Sequence, residues 1–285
     1  MILLNGSAGE GPTVAVIAGI HGAEYAGIDT VLALARDIDP TRLRGRLILV
    51  PCVNVPAFFG RGIYVNPLDG KNLNRVFPGS TAGTASEVLA ATLVSHVIGA
   101  CDYFVDLHGG DMVEALIPFM IYARTGDSSL DAKSVEMARV FGLDLLVEGA
   151  SKGNTLDVAT RMGKPSILAE AGGQGILDAE SAGLLYRGCR RVLAHLGLTD
   201  DPKPEATQAP LRKFIWMRSE HRALFYPLVA VGQEIEAGQK VGEMRDLFGN
   251  TVAELVSPDT GPVLFLATSL ASSPGEPLLA VGAMA

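Results

Sequence analysis

The apolar run Val14-Ala15-Val16-Ile17-Ala18 leads without a break into Gly19-Ile20-His21-Gly22-Ala23-Glu24-Tyr25-Ala26-Gly27, and helix-like spacing follows from Ile28 to Ala35. A histidine and a carboxylate three residues apart therefore stand where a strand ends and a helix begins. In an open α/β sheet that edge is where ligands bind. Imidazole and carboxylate both ligate first-row metals, and one tight turn can aim both at one ion. The flanking glycines let the backbone turn sharply and let a substrate approach. Taken alone, His-x-x-Glu also describes an ordinary surface turn, so the rest of the chain has to decide.

The same strand-then-polar pattern recurs. The spacing predicts strands over 13–19, Arg46 to Val50, Asp102 to Leu107, Ile117 to Tyr122, Leu143 to Val147 and Pro165 to Ala169. Helices are predicted over roughly 23–38, from a Thr84-Ala85-Ser86-Glu87 capping box to about Gly99, over Asp131 to Phe141, Thr155 to Met162, and Ile176 to Leu196 with Gly197 as the cap. Strands alternating with helices imply a largely parallel sheet with helices on both faces. His21, His108 and Glu170 each fall just after a predicted strand. Between Asn54 and Gly79 periodicity vanishes; a structureless stretch this long is usually functional or disordered, and Arg61, Asn72, Asn74 and Arg75 favour function.

Residues 199–210 are polar and proline-rich and read as a linker. Beyond them come short β-like runs split by glycines, at Phe214–Met217, Leu224–Tyr226, Lys240–Met244, Thr251–Val256 and Val263–Leu266. The expected division is a catalytic domain over 1–198, the linker, and a small all-β module over 211–285.

Charge and composition narrow the partners. With 23 basic against 31 acidic residues the net charge is −8, which disfavours nucleic acid and anionic membranes. The 48% hydrophobic and 19% charged content suits a globular protein with a sizeable core. No apolar run reaches the ~18–20 residues of a membrane span. The N-terminus lacks the basic region of a signal peptide. Cys52, Cys101 and Cys189 are odd in number and widely spaced, as expected of reduced, mostly buried thiols in a cytosolic protein.

Together these segments resemble the succinylglutamate desuccinylase/aspartoacylase family, a branch of the zinc carboxypeptidase superfamily. The matching residues are Gly19 to Tyr25, then Pro67-Leu68-Asp69-Gly70-Lys71-Asn72-Leu73-Asn74-Arg75-Val76-Phe77-Pro78-Gly79, then Asp106-Leu107-His108 and Glu170-Ala171-Gly172. The Asn-Leu-Asn-Arg block is the most specific part. The resemblance covers nearly the whole chain, and it implies an α/β fold with a mostly parallel or mixed central sheet, helices on both faces, and a C-terminal all-β barrel-like module. It also implies one Zn²⁺ held by His21, Glu24 and His108, with a fourth position left open as in catalytic sites. Glu170 would be the general base, Asn74 and Arg75 a clamp for a substrate carboxylate, and Arg61 the group that steadies the oxyanion, although a surface charge in a long loop describes Arg61 as well.

Asp106 fits either a partner for a ligand imidazole or a strand-end cap. His96, His195 and His221 suit packing or surface roles, and the sequence leaves open whether Asp111 and Glu114 face the pocket. An edge strand near the N-terminus is expected to be short or missing. Val231-Gly232-Gln233 and Ala237 to Gly242 resemble the turns of a biotinyl/lipoyl-like barrel, without the Met-Lys-Met attachment tip of true carriers. The expected activity is a zinc-dependent amidohydrolase that deacylates a small N-acylated amino acid or amine. Two alternatives stand beside it: a zinc carboxypeptidase acting on short peptides, and a non-catalytic binding module with a vestigial metal site. The expected location is cytoplasmic, and a homo-oligomer is compatible with the sequence.

Overall fold

The computed structural model describes every residue except Ala150, Gln208 and Ala285. Gln208, inside the expected linker, and Ala285, at the end of the expected β module, lie outside the described residues. In chain order the first part contains β1 (Ile2–Asn5), β2 (Thr13–Ala18), α1 (Tyr25–Asp37), β3 (Arg46–Val50), α2 (Val55–Gly60), α3 (Ala85–Leu93), β4 (Tyr103–His108), β5 (Glu114–Leu116), β6 (Phe119–Tyr122), α4 (Ser128–Phe141), β7 (Leu146–Glu148), α5 (Thr155–Arg161), β8 (Ser166–Glu170) and α6 (Ala179–His195). The second part is all β: β9 (Leu211–Arg218), β10 (Ala223–Pro227), β11 (Glu234–Ile235), β12 (Lys240–Arg245), β13 (Thr251–Val256), β14 (Gly261–Ala267), β15 (Ala271–Ser272) and β16 (Pro277–Met284).

At the centre β3, β2, β4 and β8 run parallel, and β1 is a short antiparallel edge strand on β3. Alternation along β2 sorts its side chains between two cores. Val14, Val16 and Ala18 pack with Val31 and Leu34 of α1, Phe141 of α4 and Leu185 of α6. Ala15 and Ile17 point the other way, into a core with Ala90 and Leu93 of α3 and Val158 of α5. Both faces of the sheet are covered, which is why these strands are apolar throughout.

Beyond β8 the sheet becomes mixed. Strand β6 is antiparallel to β8, β7 is parallel to β6, and β9 adds in parallel to β7. The order β1-β3-β2-β4-β8-β6-β7-β9-β16-β14-β11, with β5 on β14, makes one 12-stranded sheet. The all-β part therefore shares the central sheet. Its second layer is a four-stranded sheet, β13-β12-β10-β15, and Phe225, Val241 and Met244 pack there against Val263, Leu279 and Val281.

Two sequence expectations change. The stretch 54–79 holds α2, capped by Asn54 with a proline at its start, and a 3₁₀ turn over Leu73–Arg75. Asparagine followed by X-Pro is a helix-start signal, overlooked because one turn and a half is too short to show periodicity. The last helix starts at Ala179 rather than Ile176, because the Asp178 carboxylate caps the Glu180 and Ser181 N–H groups. All three cysteines are free, with Cys101 and Cys189 buried. No helix among the described residues is long and apolar enough to cross a membrane.

Candidate active site

Strand β2 ends at Ala18, and the chain turns through Gly19, whose φ of +70° is left-handed and whose missing side chain leaves room for Cys52, with the Cys52 Cα 3.0 Å from where a Cβ would lie. Gly22 packs so tightly on the backbone of α2 that a Cβ there would lie 2.3 Å from Ala57. Between these two glycines the turn carries His21, and it delivers Glu24 to the N-cap of α1. Glu24 makes no side-chain cap. Its carboxylate instead lies between two imidazoles: Oε1 is 2.7 Å from His21 Nδ1, and Oε2 is 3.0 Å from His108 Nδ1.

The outer nitrogens of both rings are tied back. His21 Nε2 lies 3.2 Å from Asn72 Oδ1, and His108 Nε2 lies 3.0 Å from Asp106 Oδ2. Both partners are acceptors, so each Nε2 can donate outward, and each Nδ1 faces the Glu24 carboxylate, to which it donates when protonated and beside which it would offer a lone pair to a metal ion. Asp106, fully buried, also accepts the Thr155 hydroxyl. Asp106 is thus the buried acceptor that orients His108, one of the two roles its position allowed.

His21, Glu24 and His108 each offer a ligand atom within 4.8 Å of the others. Glu24 Oε2 is buried without a hydrogen-bond partner, because its approach to His108 is a contact rather than a bond in geometry. Two imidazole lone pairs and an unpartnered carboxylate oxygen form a donor set that fits Zn²⁺. Burial works against charge on His21 and His108. The Glu24 carboxylate, with Asp106 at His108, outweighs it and raises both. Burial likewise opposes charge on Glu24, yet the two rings bring its pKa down to about 2.

Glu170 closes β8 as the register neighbour of His108 on β4. Burial, reinforced by the negative charge of Glu24, Glu114 and Asp106, pushes its pKa well above the usual carboxylate range, and His108 offsets this only in part. These groups open into a cavity of about 1020 Å³. Asn74 and Arg75 line it from the 3₁₀ turn. Asn74 Oδ1 accepts the Thr155 N–H at 3.1 Å, which leaves its NH₂ to the cavity, and Arg75 Nη1 donates to the Asn74 carbonyl at 2.7 Å. Partial burial and the nearby Arg218 lower the Arg75 pKa, while Glu170 raises it.

Arg61 differs from its expected place. It caps α2 in a left-handed conformation with φ +50° and is exposed. It is not among the described residues that line the cavity. The turn of helix at 55–60, unseen in the sequence, sets where Arg61 emerges. Conversely Lys213, Trp216 and Arg218 of β9 line the cavity, as do Tyr64 and Glu114. The β9 residues were overlooked because a strand with polar residues on one side looks like any half-exposed strand. Of the remaining histidines, His96 and His221 are exposed and His195 lies 3.5 Å from Glu136, away from the cavity.

Residues 10–196 match the succinylglutamate desuccinylase/aspartoacylase catalytic domain. The chain is 31% identical over 260 residues to N-alpha-acetyl-L-2,4-diaminobutyric acid deacetylase from Halomonas elongata, covering 86% of this chain and 74% of that one. Among solved structures it is similar to the product-bound ectoine utilization protein EutE (DoeB) from Ruegeria pomeroyi, with a TM-score of 0.91 and 26% identity over 99% of this chain and 88% of the other. It is also similar to a succinylglutamate desuccinylase/aspartoacylase from Rhodobacter sphaeroides, with a TM-score of 0.89 and 29% identity over the same shares of the two chains.

Proposed function

The chain belongs to the succinylglutamate desuccinylase/aspartoacylase family, and from that premise we propose that it is a zinc-dependent amidohydrolase releasing a carboxylate and a free amine from a small N-acylated amino acid. The observation that carries this reading is the convergence of His21, Glu24 and His108 beside Glu170 in one cavity. The two Nδ1 atoms and the Glu24 carboxylate would hold Zn²⁺, which supplies Lewis-acid activation of the amide carbonyl and of the attacking water.

The chain's own residues do the rest. Glu170 takes a proton from the water and returns it to the leaving nitrogen as the C–N bond breaks. A pKa raised by burial makes Glu170 a stronger base than an ordinary carboxylate, which suits a group that takes up the proton before returning it. Asp106 holds His108 in one tautomer, and Asn72 does the same for His21. Asn74 and Arg75 grip the substrate carboxylate, where a guanidinium binds two oxygens at once.

The cavity's 1020 Å³ would also accommodate a short peptide, so volume does not separate a deacylase from a carboxypeptidase. The deacetylase relative supports the former. The β12–β13 hairpin tip, Asp246 to Asn250, contains no lysine, which speaks against a carrier module. The test is a panel of N-acyl amino acids with protein whose zinc is measured, stripped by chelator and restored. About one zinc per chain, with activity lost and regained in step, is expected. Full zinc occupancy in a His21→Ala, His108→Ala double variant would overturn the site.

A further inference from the structure

Five carboxylates line the cavity, and four have an evident electrostatic setting. Glu24 lies between the two histidines. Glu170 neighbours His108. Glu148 pairs with Arg124 at 3.1 Å, and Glu276 is exposed. Glu114 is different. It is partly buried, and among the described residues no Lys, Arg or His pairs with it; only neutral groups donate to it. The Tyr64 hydroxyl reaches Oε1 at 2.9 Å and the Asp111 N–H reaches Oε2 at 2.8 Å.

This arrangement is built rather than incidental. Tyr64 has a left-handed backbone, with φ +60°, that a bulky residue rarely adopts. Its N–H donates to Asp111 Oδ2 at 2.8 Å, so both ends of Tyr64 are fastened to the 111–114 turn. From the other side β14 pairs with β5 and sets Ala267 opposite Glu114, and the Thr268 N–H donates to the Val113 carbonyl at 2.8 Å. Gly110 and Gly173 allow the backbone there to close up, since a Cβ on either would lie 2.5–2.6 Å from the Glu114 carbonyl oxygen. The cations lining the cavity are Arg75, Lys213 and Arg218, and among the described residues none of them pairs with Glu114. A carboxylate fixed in a cavity without a cation of its own has the chemistry to receive one from the ligand. Burial, with the neighbouring charges of Glu24 and Asp111, pushes its pKa up to about 7, and a cation beside it would favour the charged form.

We propose that Glu114, held by Tyr64, is the specificity residue that favours N-acylated amino acids with a free ammonium on the side chain over those with a neutral or acidic one. This rests on the deacylase reading and deepens it. The substrate's carboxylate goes to Arg75 and its ammonium to Glu114, so the two charges orient the molecule and leave the acyl amide for the metal centre. An acidic side chain in the same place would meet Glu114 as a like charge. The relative from Halomonas elongata is named for a substrate with such an ammonium.

The test compares Nα-acetyl-2,4-diaminobutyrate, its uncharged analogue N-acetyl-2-aminobutyrate, and N-acetylaspartate, with zinc-loaded wild type and Glu114→Gln. Glutamine keeps the size and still accepts the Tyr64 hydroxyl. Wild type should favour the cationic substrate over the neutral one by at least about tenfold in kcat/KM, the worth of a charged hydrogen bond. Glu114→Gln should erase most of that ratio, and turnover of the neutral analogue by the same variant reports that it is folded. Equal ratios in the two proteins, or a wild-type preference for the neutral or acidic substrate, would overturn the proposal. Calorimetric binding of 2,4-diaminobutyrate against 2-aminobutyrate separates the two claims. Preferential binding of the diamine that Glu114→Gln abolishes, without hydrolysis of any substrate, would uphold the anchor and defeat the deacylase reading. Hydrolysis without preference would do the reverse, and neither binding nor hydrolysis would overturn both.

Discussion

His108 and Glu170 stand side by side at the C-terminal ends of the adjacent parallel strands β4 and β8, in register with one another. The sheet itself thus places a carboxylate of raised pKa next to a histidine of the candidate metal site. Glu170→Gln preserves shape and removes the proton acceptor. We expect kcat to fall about 10²–10⁴-fold with zinc content unchanged. Turnover and metal analysis on the same sample check this, and loss of zinc would make Glu170 a ligand instead.

Thr155, at the first turn of α5, joins the two halves of the site: its hydroxyl donates to Asp106, which holds His108, and its N–H donates to Asn74 at 3.1 Å. Thr155→Val keeps the N–H and removes the hydroxyl. Zinc affinity should weaken by about 10–100-fold, as is typical when the support of a ligand histidine is lost. Thr155→Ser should restore most of it. Chelator competition measures both, and equal affinity in the valine and serine variants would remove the hydroxyl from the metal centre's support.

Arg75→Ala should lower kcat/KM by at least about tenfold on an N-acyl amino acid, the lower end of what a charged hydrogen bond contributes. An analogue with an amide in place of the carboxylate should suffer far less. Arg75→Lys keeps the charge but loses the fork, and should fall between. Short N-acyl amino acids should also be cleaved much faster than tripeptides with a free C-terminus; the opposite order would move the chain to the carboxypeptidase side.

Asp69 is expected to contribute to acid stability at the base of the Asn-Leu-Asn-Arg segment. Burial opposes its ionisation, but the Ser86 N–H and hydroxyl, the Thr84 hydroxyl and the Lys71 N–H outweigh it and hold the pKa at about 2. The folded-state value lies below the unfolded ~3.9, so the stabilisation is present above that value and is lost as pH falls towards 2. Asp69→Asn should lower Tm at pH 7 and lose most of that difference near pH 2. A Tm difference independent of pH would show that the charge is not the cause.

The main lines of the site were visible in the residues. His21, Glu24 and His108 sit at strand ends, and strand ends converge in a parallel sheet whatever the loops do. Asn74 and Arg75 were placed by a motif whose own geometry, a 3₁₀ turn pinned by the Asn72 side chain on the Asn74 N–H, is local. Arg61 went astray because α2 is six residues long and leaves no periodic trace. Arg218 and Trp216 stayed hidden for a different reason: what puts them in the cavity is the pairing of β9 with β7, a contact between segments about 65 residues apart that no local pattern records. The strand β16 escaped similarly, since Pro277-Leu278-Leu279-Ala280-Val281-Gly282-Ala283-Met284 lacks the alternation of a half-exposed strand and is buried almost throughout.

The union of the two parts in one sheet limits how the chain can be cut or rearranged. Removing residues after 198 would strip β9 from β7 and β14 from β5, baring two rows of backbone N–H and C=O groups that now pair. Open edges of that kind invite another chain to add on, and the shortened protein would tend to aggregate. The same ladders run unbroken from the floor at β8 through β6 and β7 to the β9 wall. Evolution could recolour this pocket by changing side chains on β9 and β5 while being unable to exchange the whole wall for another.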